Sequence, residues 1–227
     1  MVLETIRYPK SLWSYNPNPR GCVLYLPLWH PSLRGPKFQS PDHYRHSCSV
    51  IGTTLGSQGR TFDGVDDEIT IPDNPSLYHG GSCTQEYWIK IPADIGEQIL
   101  LCKDDAGANR EWLSYYRTAT KKIEWALWAD TPEVAVSQTN IMPLNGWVHI
   151  ALRYDGVDMR TYTNGVLDCT PQAQTGLITD TNAQIEVGAR NAAQFLGGTV
   201  GEIRLYNRAL TTVEIQHNYL ATKERYR

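Results

Sequence analysis

The sequence predicts an all-β fold, an antiparallel β-sandwich or barrel, and three observations support that prediction. Apolar and polar residues alternate with a period of two, most clearly over residues 145–170. Asp-Gly and Asn-Gly dipeptides, which favour tight turns, separate the alternating stretches. The predicted strands follow one another at intervals of about 8–12 residues, which leaves no room for the crossover helices of an α/β fold.

The first predicted strand covers residues 21–29, GCVLYLPLW, with a bulge at Pro27. A turn at Asp63-Gly64 is followed by alternation into Ile69 and Ile71. Further strands are predicted in CTQEYWIKIP, QILLCKDD, EWLSYYRT, KKIEWALWAD, AQIEVGA and TVGEIRLYN.

The clearest pattern is a meander of three strands over residues 145–170. Its turns are Asp155-Gly156 and Asn164-Gly165, dipeptides typical of turns that require positive φ. Alternation in the first of these strands separates an inner from an outer set of side chains. The predicted inner set is Val148, Ile150, Leu152 and Tyr154.

The two ends of the chain are predicted to differ from this body. Residues 1–20 include SYNPNPRG, and residues that precede proline favour extended backbone, so they predict an extended N-terminal arm. The sandwich is assigned to residues 21–220. A short C-terminal helix is predicted because Thr211 and Glu214 have the spacing of a capping box. Residues 221–227 are a basic tail.

Charge is distributed unevenly along the chain. Residues 1–60 hold seven basic and two acidic side chains, and the whole chain has a net charge of −3. The body is therefore acidic, which argues against nucleic-acid binding. Two interpretations of the basic ends remain: they fold back onto the body, or they contact an acidic neighbour.

Five cysteines occur without paired spacing, and the N-terminus lacks the apolar segment of a secretory signal. We therefore expect free thiols and synthesis in the cytoplasm, followed by incorporation into a virion released by lysis. No apolar run is long enough for insertion into a membrane.

Three segments resemble, in this order, the laminin-G-like family of concanavalin A-like lectins and glucanases, in its bacterial and phage branch. They are GRTFDGVDDEITIPDNPSL at 59–77, NGWVHIALRYDGVDMRTYTNGVLD at 145–168 and GGTVGEIRLYNRALTTVEI at 197–215. The resemblance implies a jelly roll of two facing antiparallel sheets. It does not fix a function, because lectins, glycosidases, adhesion modules and virion proteins share this fold.

The resemblance also directs attention to two kinds of site. Catalytic relatives carry closely spaced acids on one strand, and no strand here has that pattern, so no catalytic residue is predicted. The nearest acids have the spacing of turns or rims: Asp66-Asp67-Glu68, Glu124 with Asp130, and Asp155 with Asp158. Relatives also bind a structural calcium through an acid where this chain has Gly201, which places that calcium in doubt. No other cofactor is expected.

Ligand binding is assigned to aromatic rings in residues 112–128, which we predict to line a concave sheet. Packing inside the sandwich is the alternative interpretation for each ring. The candidates are Trp112, Tyr115, Tyr116 and Trp128. Trp125 is assigned to the core, because it alternates in step with Ile123 and Leu127. Candidates for assembly contacts in the arm are Arg7, Tyr8, Lys10, Trp13, Tyr15 and Arg20.

Three functions follow from these observations. The first is a virion protein that uses its arm to join a homo-oligomer or lattice. The second is a free glycan-binding module, and the third is a glycosidase. The first two are compatible, and together they give the favoured hypothesis. It is a non-catalytic, lectin-like decorating protein, such as a bacteriophage capsid decoration protein, that also binds glycans.

Overall fold

The computed structural model describes residue 17 and residues 19–129 and 134–227. These residues form two antiparallel sheets that face each other, which confirms the predicted sandwich. In this part of the chain the first sheet has nine strands and the second has eight.

The first sheet is centred on β7 and β17, and it brings together strands from both ends of the chain. Its strands are β1 (Cys22–Pro27), β4 (Thr54–Leu55), β5 (Arg60–Asp63), β7 (Cys83–Lys90), β12 (Val148–Tyr154), β13 (Asp158–Thr163), β14 (Val166–Leu167), β15 (Gln172–Ala173) and β17 (Gly197–Tyr206).

The second sheet contains the hairpin-connected strands of the middle of the chain, in the order β11-β10-β9-β8-β16-β6-β3-β2. Its strands are β2 (Lys37–Gln39), β3 (Ser47–Ile51), β6 (Glu68–Ile71), β8 (Gln98–Asp104), β9 (Arg110–Arg117), β10 (Lys122–Leu127), β11 (Val134–Ser137) and β16 (Ile185–Val187). Short 3-10 helices cover Pro31–Leu33 and Pro75–Leu77.

The core lies between the two inner faces. All four side chains predicted to point inward from β12 are buried there, and they contact one cluster that includes Trp125 from the second sheet. Burying a large apolar side chain stabilises a fold by about 1.5–3 kcal/mol, so the alternation in the sequence fixes which face of each strand is inside.

The outer face of the first sheet is covered by α1 (Thr212–Thr222), which confirms the predicted terminal helix. Thr211 Oγ1 accepts a hydrogen bond from the Glu214 backbone N, and a Glu214 carboxylate oxygen accepts one from the Thr211 N. Ile215 of the helix is buried against the sheet with Ala151 and Tyr206. This cover explains why central strands of the first sheet are buried on both faces.

The chain end also packs onto its own body. Lys223–Tyr226 form a 3-10 helix, and the Tyr226 ring stacks 4.4 Å from Trp88. The Arg225 guanidinium lies 3.5 Å above the Trp29 ring. Residues 223–226 therefore fold back onto the body, which is the first of the two interpretations of the basic ends. No helix among the described residues is long and apolar enough to cross a membrane.

Two local predictions need correction. In the second turn, Asn164 and Gly165 both have positive φ, as predicted. In the first turn, Gly156 has positive φ but Asp155 does not. The Asp155 carboxylate instead accepts hydrogen bonds from the backbone N of Val157 and Asp158, which closes a three-residue loop. In β1 the register shift lies between Cys22 and Leu24 rather than at Pro27, which pairs with Glu202 at the strand end.

Candidate functional site

The outer face of the second sheet carries an apolar cluster separate from the core. A sheet face that only contacts water is expected to be polar. Here Trp128 packs against five buried side chains of the outer face: Ile99, Cys102, Leu113, Tyr115 and Ala126. The five side chains of this apolar floor are buried, whereas Trp128 is half-buried and is the ring of the floor that stays partly accessible.

Arginines lie over the two rings of this floor. The Arg117 guanidinium is 5.2 Å from the Tyr115 ring centroid, and that of Arg110 is 5.6 Å from the Trp128 ring. Glu124 accepts hydrogen bonds from the Tyr115 hydroxyl at 2.9 Å and from Arg117 Nε at 2.8 Å. Burial, and then the hydrogen bond to Glu124, raise the pKa of Tyr115 to about 12, so the hydroxyl stays neutral.

The loop from β8 to β9 places Arg110 beside Trp128. One Asp105 oxygen accepts hydrogen bonds from the backbone N of Gly107 and Asn109, and Asn109 also donates its side-chain amide to Asp105. These bonds lower the pKa of Asp105. Arg110 in turn donates to the carbonyls of Ala106 and Gly107. The loop is therefore held by its own hydrogen bonds rather than by contact with the core.

A tight hairpin after β16 forms the opposite wall. Arg190 and Ala193 exchange two backbone hydrogen bonds of 3.0 Å, with Asn191 and Ala192 between them. Both intervening residues have positive φ, at 49° and 55°, which is the geometry of a type I′ turn. Gln194 accepts a backbone hydrogen bond from Ile99 N at 2.9 Å, which fixes the hairpin against the floor.

These elements enclose what we call the outer groove, which has two adjoining halves. The aromatic half has a volume of about 160 Å³ and includes Tyr115, Trp128, Arg110, Arg117 and Arg190. The polar half has a volume of about 350 Å³ and is lined by Asp104, Asp105, Asn109, Asn182, Ala183, Gln184, Glu186 and Asn191. The halves meet where one guanidinium nitrogen of Arg190 contacts both Asp104 carboxylate oxygens at 2.9 Å.

Two of the four predicted ligand-binding rings lie in the outer groove, and two do not. Tyr115 and Trp128 contribute to its aromatic half. Trp112 and Tyr116 point to the other face of β9 and are fully buried in the core, so neither ring is exposed to a ligand. Of the arm candidates Arg20 alone is described, and its backbone carbonyl accepts a hydrogen bond from Arg208. The other arm candidates lie outside the described residues: Arg7, Tyr8, Lys10, Trp13 and Tyr15.

Sequence reasoning missed the arginines of the groove. Strict alternation along β9 places Arg110 on the same face as Trp112, in the interior. The pairing of β8 with β9 shifts register between Lys103 and Asp104, next to Arg110, and this irregularity turns Arg110 outward. Arg190 follows a short strand and lies in a turn without glycine, so no simple turn signal marks it.

The carboxylates of the outer groove are already engaged by other groups. Both Asp104 oxygens accept from Arg190. Glu186 accepts hydrogen bonds from the Gln184 side-chain amide and from the Asn191 backbone N. A general acid must instead present a proton to the leaving oxygen of a glycoside. The carboxylates of Asp104 and Glu186 therefore hold the walls of the groove together.

The residues at the expected calcium position do not fit a calcium ion. A Cβ added to Gly201 would lie 2.3 Å from the Tyr226 ring, so the docked chain end fills the space of a side-chain ligand. The adjacent Glu202 is paired with Arg204 and accepts a hydrogen bond from Trp29 Nε1. Position 201 therefore offers no carboxylate, and the neighbouring one is engaged.

One acidic group within the described residues has metal-ligand spacing: Asp63, Asp66 and Asp67. Its carboxylates serve the turn between the sheets. Asp63 accepts hydrogen bonds from the Val65 and Asp66 backbone N, and Asp67 accepts one from Asp63 N. These bonds account for the cluster as turn structure.

A larger hollow, of about 860 Å³, lies between β1, β17 and α1, near Tyr25 and Arg204. Pro17 and Pro19 in its wall adjoin residues outside the described part of the chain.

Comparison with known proteins agrees with this fold. Residues 63–216 match the family model described as concanavalin A-like lectin/glucanases superfamily. A comparison with curated proteins found no match.

Many solved structures share the architecture. The binding domain of Paraclostridial Mosquitocidal Protein 1 has a TM-score of 0.68 and 18% identity, with 88% of this chain and 52% of that chain covered. The receptor-binding domain of botulinum neurotoxin mosaic serotype C/D has a TM-score of 0.69 and 15% identity, with 88% and 50% covered. Trypanosoma rangeli sialidase in complex with sialic acid has a TM-score of 0.67 and 18% identity, with 99% and 38% covered. The chain thus spans about half of each toxin domain and less of the sialidase, and these similarities concern the fold.

Proposed function

Because the chain belongs to the concanavalin A-like lectin/glucanase superfamily, we propose that its outer groove binds carbohydrate without hydrolysing it. One observation carries this proposal: the half-buried Trp128 lies at the edge of an apolar cluster on the outer face of a sheet, bordered by polar side chains. A sugar has apolar C–H faces and polar hydroxyls, so it needs this combination of surfaces.

Each half of the outer groove has a role in this proposal. The half-buried Trp128 ring provides flat apolar surface for a sugar ring at low entropic cost, because an aromatic side chain has few rotatable bonds. Tyr115 is buried beneath Arg117 and supports that side chain from below. The amides of Asn109 and Asn182 both donate and accept hydrogen bonds, so they suit hydroxyl groups. The sialidase that shares this fold was solved in complex with sialic acid, which supports a sugar as the class of ligand.

The test is a glycan array with the full chain, followed by calorimetric titration of the best ligand. Trp128→Ala should weaken binding about tenfold, which corresponds to about 1.4 kcal/mol. Tyr44→Ala is the matched control, because Tyr44 is an exposed ring outside the groove and its loss should leave affinity unchanged. An array without any bound glycan would reject the proposal, and so would equal effects of the two substitutions.

A second proposal concerns how the protein is anchored in a larger assembly. We infer that the basic N-terminal region anchors the protein in a virion or other assembly, in line with the charge difference between residues 1–60 and the acidic body. The solution mass of the full chain should then exceed that of one copy, and deletion of residues 1–20 should reduce it. A monomeric full-length chain, or an assembly that survives the deletion, would contradict this proposal.

A further inference from the structure

The outer groove has opposite charges at its two ends. Three arginines and one glutamate line the aromatic half, and a second glutamate, Glu124, is paired with Arg117 there, so these side chains carry a formal charge of +1. Two aspartates and one glutamate line the polar half, together with amides and one alanine. A ligand that spans the groove therefore meets a positive end beside the rings and a negative end beside the amides.

The arginines differ in how far their charge is already neutralised. Arg117 contacts Glu124 and Glu97. Arg110 donates only to the carbonyls of Ala106 and Gly107, and within the described residues no carboxylate forms an ion pair with it. Its cation thus remains available beside the Trp128 ring.

Arg190 places a second guanidinium in the same half. One of its terminal nitrogens is engaged by both Asp104 oxygens, and its Nε is buried. Guanidinium groups match the planar geometry of a carboxylate better than that of a neutral hydroxyl.

The acidic side chains place a limit on the ligand. A second anionic sugar in the polar half would face Asp105 and Glu186, and residues 61–220 as a whole are acidic. Neutral hydroxyls, by contrast, donate hydrogen bonds to these carboxylates. We propose that the outer groove selects short oligosaccharides that have a single carboxylate at one end and are neutral at the other; this inference rests on the proposed function. The carboxylate is bound beside Arg110, and the neutral end lies in the polar half.

The experiment compares three probes by calorimetric titration of the full chain. They are 3′-sialyllactose, with one carboxylate on a neutral disaccharide; lactose, which lacks the charged sugar; and trigalacturonate, which has a carboxylate on every sugar. We expect 3′-sialyllactose to bind at least tenfold more tightly than either other probe. The preference over lactose should shrink as salt rises from 20 to 500 mM, because exposed charges are screened.

Variants then assign the preference to its residue. Arg110→Gln should abolish the preference for 3′-sialyllactose over lactose, whereas Arg110→Lys, which keeps the charge, should retain part of that preference. Arg34→Gln, at an exposed arginine outside the groove, is the control and should leave the preference unchanged. Circular dichroism shows whether each variant keeps its fold, and the ratio of the two affinities, rather than either affinity alone, reports the preference.

The outcomes separate this inference from the proposed function. Equal binding of lactose and 3′-sialyllactose, both weakened by Trp128→Ala, would overturn the charge selection and leave carbohydrate binding intact. Tighter binding of trigalacturonate would overturn the restriction to one carboxylate. If none of the three probes binds but the array shows binding of neutral glycans, the inference is overturned and the proposed function stands. If none of the probes binds and the array shows no bound glycan, both the inference and the proposed function are overturned.

Discussion

Replacing Glu86 by glutamine should make the protein more stable above neutral pH. Glu86 lies on β7 beneath α1, and one of its oxygens accepts a hydrogen bond from the Asn218 amide at 2.7 Å. Burial raises the pKa of Glu86 from 4.5 to about 7, although Asn218 and Arg204 favour the charged form. Glutamine keeps the shape of the side chain and an oxygen for Asn218, but it carries no charge.

The size and sign of the effect follow from proton linkage. Between pH 4.5 and about 7 the folded protein retains a proton on Glu86 that the unfolded chain releases, so this group's contribution to stability falls as pH rises. At about 1.4 kcal/mol per pKa unit, the loss is about 3 kcal/mol by pH 8. Glu86→Gln should therefore match the wild type near pH 4.5 and exceed it by about 3 kcal/mol at pH 8.

Urea unfolding of both proteins at a series of pH values measures this difference directly. The buried histidines, His79 and His149, titrate in both proteins, so their contributions cancel when the two curves are subtracted. Glu224→Gln, at an exposed carboxylate, is the control and should give a nearly flat difference. A difference between Glu86→Gln and wild type that does not vary with pH would refute the reasoning. A destabilised Glu86→Gln at pH 8 would show that Arg204 compensates the buried charge.

Two further predictions concern the backbone. Ala192→Gly should raise the free energy of unfolding by about 1 kcal/mol, because Ala192 has φ of 55°, a conformation that costs a residue with a Cβ about 1–2 kcal/mol. Denaturant unfolding checks this, and a destabilised variant would contradict it. Gly201→Ala should destabilise by about 1–3 kcal/mol, because the new Cβ would meet the Tyr226 ring. Gly146→Ala is the control, because a Cβ added at Gly146 meets open space. Adding Tyr226→Ala to Gly201→Ala should remove most of the clash energy. Strictly additive losses of stability in the double variant would contradict the predicted clash.

The sequence predicted those parts of the fold that depend on short-range patterns. Alternation assigned the inner face of β12, Asn164-Gly165 identified a turn with two positive φ values, and Thr211 marked the start of α1. Each of these signals lies within a few residues, so the chain itself contains the information. The strand order of the two sheets depends on contacts between distant segments, and alternation does not contain it.

The candidate site was only half predictable for the same reason. Tyr115 and Trp128 were identified by residue type, but aromatic content does not say which face of a strand a ring occupies, and Trp112 and Tyr116 proved to be core. Arg110 depends on a register shift between two strands. Arg190 becomes part of the groove only through the ion pair with Asp104 on another strand.

The cover on the first sheet has a consequence for the orientation of the molecule. Both described chain ends lie on that side, since Pro17 and Arg225 border one hollow beneath α1. The outer groove opens from the opposite sheet. A tether or fusion joined after Arg227 would thus present the groove away from the support, so protein immobilised by that end should retain ligand access without a long spacer.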